Sequence, residues 1–409
     1  MDRVLEGVKV VELSQFASCP ASGRMLADMG ADVIKVEGYY GDPMRKSAVG
    51  FGVPAKEDEN PMWQLANGGK RSIALDLKNP EALKVMHKLL ADADIFITNT
   101  RMKGLSNLGL DYETLHKLYP RMVYGHISGY GLKGKEAWLP GYDSTAYWAR
   151  GGGLMDLPLA GKGPLCTPYS IGDVACGMAL VTGVTAALHK QKVAGEGELV
   201  LVSLFGTAVY LNSYMVISTQ KGSEEYGYAD QFPKDRYSPP TPLGTTYTCK
   251  DGKGIMILVT EHEKSWAAFC GVIGREDLIE DERFSTMVAA RVPENCKALM
   301  LILEDIMATK NADEWLMAFG KANIATSVAQ HFSDVSTDPM AVANGYVSNY
   351  TFPNGHTSVT VNSPIQFKEN AAVDCPPAPA LNQNGEEILK ELGYTDEQIA
   401  ALREQKATR

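Results

Sequence analysis

Residues 8–37 read VKVVELSQFASCPASGRMLADMGADVIKVE, and this stretch decides the fold class. An apolar run from Val8 to Leu13 is followed by a loop from Ser14 to Pro20. A helical pattern from Ala21 to Met29 and a second apolar run from Asp32 to Val36 complete it. Short apolar runs rich in β-branched residues predict buried strands, and the segment between them has a helical period. The stretch therefore predicts two parallel strands joined by a helical crossover.

Runs that resemble strands and helices continue to alternate further along the chain. They are a strand from Ser72 to Leu77, a helix from Ala82 to Leu90, a strand from Ile95 to Thr98, a helix from Tyr112 to Leu118 and a strand from Met122 to Ile127. This alternation predicts an α/β fold, a mostly parallel Rossmann-like sheet with helices on both faces. The first loop lacks the Gly-x-Gly-x-x-Gly pattern, so a dinucleotide site is not predicted.

The character of the sequence changes after Gly222. Residues 223–242 are polar and rich in Tyr and Pro, which predicts a linker. A hairpin signal and three helical patterns follow, and they predict a smaller α+β domain over residues 243–327. The large domain is then residues 1–222, completed by a return segment and C-terminal part over residues 328–409.

Composition excludes several classes of partner. The net charge of −10 argues against a nucleic-acid or anionic-membrane surface. The seven Cys form no Cys-x-x-Cys pair and the His are scattered, so we expect no metal and a cytoplasmic protein. We also expect no tightly bound cofactor. Leu199 to Gln220 is long enough to cross a bilayer, but polar residues interrupt it, which favours a buried strand entering a buried helix.

Asp173 is the one formal charge between Lys162 and Lys190. Apolar residues from Val174 to Leu188 recur at helical spacing, which places Asp173 at a helix N-terminus. Asp is a common N-cap, and a carboxylate is also a usable nucleophile. The residues around Asp173 leave both interpretations open.

Cations border two of the predicted strands. Lys70 and Arg71 enter one strand, whereas Arg101 and Lys103 leave another just after Asn99. Ligands of open parallel sheets bind beyond the carboxyl ends of strands, although each cation alone is typical of a solvated surface. Together with Asp173, they predict an anionic substrate delivered to a carboxylate.

Several motifs occur in an order that resembles a known family. They are LEGVKVVEL at 5–13, MLADMGADVIKVE at 25–37, NGGKRSIALDL at 67–77, Gly129-Tyr-Gly131, Pro140-Gly-Tyr-Asp143, Gly172-Asp173, Gly195-Glu-Gly197 and EILKELG at 387–393. This ordered set resembles class III CoA-transferases, the formyl-CoA and carnitine CoA-transferase superfamily, over essentially the whole chain. Within it the chain looks most similar to the 2-hydroxyacid and enoate CoA-transferases of amino-acid-fermenting anaerobes, such as those acting on phenyllactate and 2-hydroxyisocaproate.

The resemblance implies specific site residues. It makes Asp173 the nucleophile and places CoA contacts in the first loop, where Ser18 is alternatively a loop cap. Together with the cations that border the strands, the predicted CoA contacts are Gln15, Ala17, Ser18, Lys70, Arg71, Asn99, Arg101, Lys103, Tyr130 and Asp143. Gly172 and Gly177 would let the thioester approach the backbone. Trp63, Tyr147, Trp148, Phe232 and Tyr237 are either an acyl pocket or ordinary core.

The implied reaction moves CoA from an acyl-CoA, such as an enoyl-CoA, to a free acid, by expectation a 2-hydroxyacid. It passes through an aspartyl–acyl anhydride and an aspartyl-CoA thioester, and an interlocked homodimer is implied. An α-methylacyl-CoA racemase is an alternative, but those enzymes have His where this chain has Tyr142, and His126 lies in a predicted strand. A non-catalytic acyl-CoA-binding protein is the other alternative.

Overall fold

A computed structural model describes residues 3–167, 169–220, 232–368 and 376–409. The chain forms two compact units. Unit 1 comprises Met1–Gly153, Cys166–Ser218 and Met340–Arg409, and unit 2 comprises Leu154–Leu165 and Thr219–Pro339. Residues 223–231 of the predicted linker lie outside the described residues. The domain boundaries derived from the sequence stay a prediction.

Strands and helices alternate through unit 1, and helices predominate in unit 2. The strands are β1 Lys9–Leu13, β2 Asp32–Glu37, β3 Arg71–Ala74, β4 Ile95–Thr98, β5 Val123–Ser128, β6 Leu199–Ser203, β7 Gly244–Thr248, β8 Gly254–Leu258, β9 Ala325–Ala329, β10 Val347–Thr351 and β11 Thr357–Val361. The α-helices are α1 Ser18–Asp28, α2 Met44–Ser47, α3 Pro61–Asn67, α4 Pro80–Ala91, α5 Met102–Leu108, α6 Tyr112–Leu118, α7 Gly153–Asp156, α8 Ile171–Ala194, α9 Leu204–Leu211, α10 Ser213–Ser218, α11 His262–Ile273, α12 Met287–Ala290, α13 Pro293–Met307, α14 Ala312–Lys321, α15 Phe332–Val335, α16 Pro339–Ala343, α17 Gly385–Glu391 and α18 Asp396–Glu404. Short 3₁₀ helices span Ala48–Phe51 and Glu276–Leu278, and a π-helix spans Asp143–Ala149.

Unit 1 is built on a six-stranded sheet of order β3-β2-β1-β4-β5-β6, in which every pair is parallel. Val10 of β1 pairs with Val33 on one side and with Ile95 on the other. The α/β prediction is confirmed. The strand order reverses between β1 and β4, and ligands of such sheets bind beyond the carboxyl ends of the strands at this point.

Helix α8 covers one face of the sheet. Gly125 of β5 has no side chain, and a Cβ there would lie 2.9–3.1 Å from side-chain atoms of Val184 and Leu180 on α8. A buried cluster that includes Phe96, Leu105 and Tyr124 fills the other face. Among the described residues, α8 is the one helix long and apolar enough to cross a membrane by length and composition. Its close packing on β5 accounts for the apolar residues on its buried side, whereas Val174 and Met178 stay exposed.

The stretch from Leu199 to Gln220 forms β6, α9 and α10, so the predicted strand entering a helix is confirmed. The predicted burial is wrong. Large apolar side chains stay exposed in the single chain: Leu201 49%, Val209 42%, Tyr210 79%, Leu211 52%, Tyr214 90% and Ile217 70%. We refer to these six residues as the β6–α10 patch.

Unit 2 contains a three-stranded antiparallel sheet of order β7-β8-β9. The predicted hairpin corresponds to β7 and β8, and the third strand, β9, was not predicted. Stacked aromatic rings form much of the core beneath it, with Phe269 packed against Phe319 and Trp266. Strands β10 and β11 form a separate antiparallel hairpin, which belongs to unit 1.

Candidate functional site

Asp173 lies in the first turn of α8, as the helical spacing predicted. The helix begins at Ile171, so Asp173 is its third residue, and the N-cap position belongs to Ser170, in the left-handed conformation at φ 53°. The N-cap interpretation of Asp173 is therefore wrong. Asp143 supplies the cap from a distant segment, because its Oδ1 accepts a hydrogen bond from the Asp173 backbone N–H at 2.9 Å.

Two glycines bring Asp143 to this helix. Gly129 follows β5, and a Cβ on it would lie 2.6 Å from the Cα of Gly141, which closes off any side chain at either position. The loop that ends in Asp143 therefore lies against the carboxyl end of β5. The motifs that contain these two glycines were recognised in the sequence, but it was not predicted that the glycines touch each other.

Gly172 and Gly177 serve helix packing. A Cβ on Gly172 would meet the Tyr147 ring and lie 2.5 Å from Asp143 Oδ1, and one on Gly177 would lie 2.8 Å from the carbonyl oxygen of Ser18. Since protein atoms already occupy both spaces, the expectation that these glycines admit the thioester is wrong. They allow α8 to pack closely against the π-helix and α1.

The environment favours the neutral form of Asp173. Burial and the nearby negative charge of Asp143 raise the pKa of Asp173 to about 7, and a hydrogen bond from the Ser170 side chain opposes them. Burial also raises the pKa of Asp143, whereas the backbone N–H groups of Asp173 and Gly172 lower it. Two carboxyl groups whose pKa values are raised at one helix terminus are typical of a functional site.

The first loop and the loop after β4 are held together at the carboxyl edge of the sheet. Asn99 Oδ1 accepts a hydrogen bond from the Gln15 N–H at 3.0 Å, and Asn99 Nδ2 donates to the Gln15 carbonyl at 2.8 Å. Ala17 is the N-cap residue of α1, and Ser18, its first residue, is buried. Because the N-cap position belongs to Ala17, the interpretation of Ser18 as the cap is wrong.

Phe16 gives this loop an unusual conformation, left-handed at φ 65°. Such a conformation is strained for a residue with a Cβ and persists only where its surroundings hold it. The carboxylate of Asp42 does so, because Oδ1 accepts hydrogen bonds from the N–H groups of Phe16 at 3.1 Å and Met44 at 2.9 Å.

Beneath the loop lies a fully buried ionic network. Lys35 Nζ is 3.0 Å from Glu12 Oε1 and 3.1 Å from Asp42 Oδ2. Lys70 Nζ is 2.8 Å from Glu12 Oε2 and also donates to the carbonyl of Pro20 at 2.8 Å. Burial lowers the pKa of Lys70 to about 8. Because Lys70 is enclosed and paired within the protein, the structure argues against it as a phosphate ligand.

Arg71 lies at the amino ends of the strands, opposite the carboxyl edge of the sheet. It is the first residue of β3, and its guanidinium pairs with Asp32 at 2.6 Å and with Glu391 at 2.9 Å. The amino ends of parallel strands face away from the site, so the structure argues against Arg71 as well. Sequence position alone did not reveal these pairings.

The remaining predicted residues lie on loops and helices that follow strand ends. Arg101 and Lys103 are exposed after β4, and neither makes an ion pair with another described residue. Tyr130 follows β5, half-buried, with the Arg150 guanidinium 5.2 Å from the centre of its ring. The structure therefore groups Gln15, Ala17, Ser18, Asn99, Arg101, Lys103, Tyr130, Asp143 and Asp173 at the carboxyl edge.

His126 belongs to the interior of the sheet. It is 2% exposed, and its Nε2 lies 3.0 Å from the carbonyl oxygen of Thr100. Burial lowers its pKa. It therefore supports the loop after β4 as a neutral ring, and the possibility that it replaces the racemase histidine is not supported.

Within the described ranges, no group of three His, Cys, Asp or Glu residues is arranged to hold a metal ion. The site consists of a carboxyl pair and surrounding loops. Such an arrangement can attack an activated carbonyl, because a desolvated carboxylate is a competent nucleophile.

Comparisons with known proteins give concordant results. The model of CoA-transferase family III matches residues 5–385. The chain is 39% identical to (R)-2-hydroxy-4-methylpentanoate CoA-transferase of Clostridioides difficile, covering 99% of this chain and 100% of that protein. It is 38% identical to cinnamoyl-CoA:phenyllactate CoA-transferase of Clostridium sporogenes, covering 98% and 97%. A crystal structure of a CAIB/BAIF family protein from Brucella suis matches 96% of this chain and 100% of that one, with a TM-score of 0.78 and 29% identity.

Proposed function

Because this chain belongs to CoA-transferase family III, whose members use CoA thioesters, we propose that it transfers CoA from an acyl-CoA to a 2-hydroxyacid with Asp173 as the nucleophile. The observation that carries this proposal is the environment of Asp173. This half-buried carboxyl group lies at the carboxyl edge of the sheet, in the first turn of a helix, with its pKa raised to about 7. The two relatives named above support a 2-hydroxyacid as the acceptor.

The reaction begins when the Asp173 carboxylate attacks the donor carbonyl and expels CoA thiolate, which leaves an aspartyl–acyl anhydride. The thiolate then attacks the aspartyl carbonyl of the anhydride, so the donor acid leaves as a carboxylate and an aspartyl-CoA thioester forms. The acceptor carboxylate attacks that thioester, giving a second anhydride and thiolate. Attack of the thiolate on the acceptor carbonyl forms the new acyl-CoA and regenerates Asp173. Each step exchanges one activated carboxyl for another, so no thioester energy is lost to water.

Residues around Asp173 have separate roles in this proposal. The dipole of α8 stabilises negative charge on the reacting carboxyl groups at the start of this helix. Asp143 fixes the first turn of the helix through its bond to the Asp173 N–H. Arg101 and Lys103, exposed and without an ion pair in the described part of the chain, bind the CoA phosphates.

A labelling experiment tests the function. The protein is incubated with an acyl-CoA donor alone, quenched with hydroxylamine and digested, and in parallel the donor and a 2-hydroxyacid are followed for a new CoA thioester. We expect thioester exchange and a modified peptide that contains Asp173. Modification elsewhere would move the nucleophile, and binding without exchange or adduct would favour a non-catalytic acyl-CoA-binding protein. Deuterium uptake at the α-carbon without an acceptor would indicate a racemase.

The pH dependence follows from the environment of Asp173. Its pKa is raised to about 7, so the group is protonated below that pH and attacks only above it. We expect kcat/KM to rise with pH through about 7 and then level off. Asp143→Asn removes the neighbouring charge and should move the rise in kcat/KM to lower pH. Burial should still keep the pKa of Asp173 above that of an ordinary aspartate. A wild-type limb near the ordinary aspartate pKa of 3.8 would contradict the assignment.

We also propose that the protein is a homodimer, as the resemblance implied. The β6–α10 patch supports this, because large apolar side chains left exposed on three consecutive elements are typical of interaction sites. Sedimentation equilibrium should give twice the mass of one chain. A single-chain mass at micromolar concentration would contradict the dimer.

A further inference from the structure

Two edge-to-face aromatic pairs belong to the segments that build the Asp173 site. The Phe51 and Tyr169 rings lie 5.1 Å apart at 89°, and the Phe16 and Tyr142 rings lie 6.3 Å apart at 88°. Tyr169 is 67% exposed and Tyr142 is 55% exposed. Exposed rings of this size leave much apolar surface in water, which a ligand can cover.

Three of the five aromatic residues suggested by the sequence do not serve this purpose. Trp63 is 5% exposed, donates its indole N–H to the carbonyl of Pro379 and packs against Arg45. Tyr147 and Trp148 are each 8% exposed. These three side chains are core, so they are not available to contact an acyl group.

The Phe51–Tyr169 pair is tied to the nucleophile through the chain. Tyr169 lies four residues before Asp173, and only the left-handed turn at Ser170 separates it from the start of α8. Phe51 ends the 3₁₀ helix Ala48–Phe51 and reaches this turn through its contact with the Tyr169 ring. Ile171 and Val174, on either side of Asp173, are also 45% and 44% exposed. Exposed apolar side chains therefore flank Asp173 along the chain.

The charge next to the nucleophile is negative. Asp143 lies against the first turn of α8 and contributes to the raised pKa of Asp173. A second carboxylate on an acyl group held at Asp173 would be repelled by it, as like charges are. Apolar rings and a neighbouring carboxylate together disfavour dicarboxylic acyl groups.

We propose that Phe51 and Tyr169 form an acyl wall, which selects acyl groups with aromatic or branched apolar side chains over small or dicarboxylic ones. This inference rests on the proposed function, because it assumes that the acyl group is carried on Asp173. The two relatives named above act, by their names, on a branched and an aromatic 2-hydroxyacid. The acyl wall gives a physical basis for the same preference in this chain.

The test is a ratio of specificities. For each variant, kcat/KM is measured with 4-methylpentanoyl-CoA and with propionyl-CoA, using one common acceptor. We expect the wild type to prefer the branched donor, and Tyr169→Ala and Phe51→Ala to lower that preference by about 10-fold, the loss expected when a hydrophobic pocket loses part of its wall. Tyr169→Phe keeps the ring and should keep the preference.

Tyr40→Ala is the matched control, because Tyr40 is 85% exposed and forms a comparable edge-to-face pair with Tyr39, 5.3 Å apart, after β2. Its donor ratio should equal that of the wild type. A defect in CoA binding or folding scales both donors alike and leaves the ratio unchanged. If the wild type shows exchange and an Asp173 adduct, but both Ala variants keep the wild-type donor ratio, the acyl wall is wrong and the proposed function stands. Absence of both exchange and adduct in the wild type would overturn the proposed function and the acyl wall with it.

Discussion

Asp173→Asn is expected to abolish CoA transfer, lowering kcat by roughly 10⁴–10⁶-fold, the range seen when a covalent nucleophile is removed. The amide has the same shape as the carboxyl group but cannot form the anhydride. The hydrogen bond from the residue 173 backbone to Asp143 does not involve the replaced side chain, so the helix terminus should be retained. The measurement is thioester exchange and hydroxylamine labelling, with the wild type run in parallel.

The same variant should be more stable than the wild type at alkaline pH. Burial and Asp143 raise the pKa of Asp173 in the folded protein to about 7, above its value of 3.8 in an unfolded chain. Between these values the folded state holds a proton that the unfolded state has lost, so native stability falls as pH rises through this window. Asparagine does not titrate, so the variant does not lose stability in this way as pH rises. We expect a higher Tm for Asp173→Asn at pH 8 and no gain near pH 4, and the prediction fails if the inactive variant is also less stable at pH 8.

Lys35→Met is expected to destabilise the protein by about 3–5 kcal/mol, because it removes the shared cation of a buried network. Lys35, Glu12 and Asp42 are almost completely inaccessible, and the two carboxylates lie 3.0 and 3.1 Å from the Lys35 ammonium. Methionine fills a similar volume but leaves Asp42 without a cation. The midpoint of urea unfolding measures the loss.

Lys84→Met is the matched control. Lys84 pairs with Glu81 at 2.7 Å, but both side chains are exposed, at 67% and 40%, and pairs of exposed side chains contribute little to stability because water screens them. Equal midpoints for the two variants would show that the network under the first loop contributes no more to stability than a surface ion pair does. A larger loss for Lys35→Met should be accompanied by a raised KM for acyl-CoA, because Asp42 also holds Phe16 in its strained conformation.

Much of this fold could be predicted because it is local in sequence. The periodic apolar residues of 8–37 were sufficient for the first strand–helix–strand unit, and the strand order rule placed Asn99 and Arg101 at the ligand-binding edge. The helix carrying Asp173 was found by its spacing, since that pattern spans many turns without a charge. The proposed role of Asp173 as the nucleophile came from the resemblance.

The rest depends on contacts between distant parts of the chain. Nothing near Lys70 in sequence indicates that Glu12 encloses it, and nothing near Asp173 indicates that Asp143 caps its helix. The exposed β6–α10 patch was predicted to be buried because apolar runs usually are. Tyr169 was overlooked for a related reason, since a single aromatic residue in a loop carries no periodic signal.

The cap supplied by Asp143 has a consequence for the newly made chain. Thirty residues separate it from Asp173, so the two carboxyl groups meet only when the loop through Gly141 has docked on the end of β5. Before that moment Asp173 lacks the neighbouring charge that helps to raise its pKa. The chemical character of this carboxyl group is therefore acquired with the tertiary structure and is absent from a chain that has not yet folded.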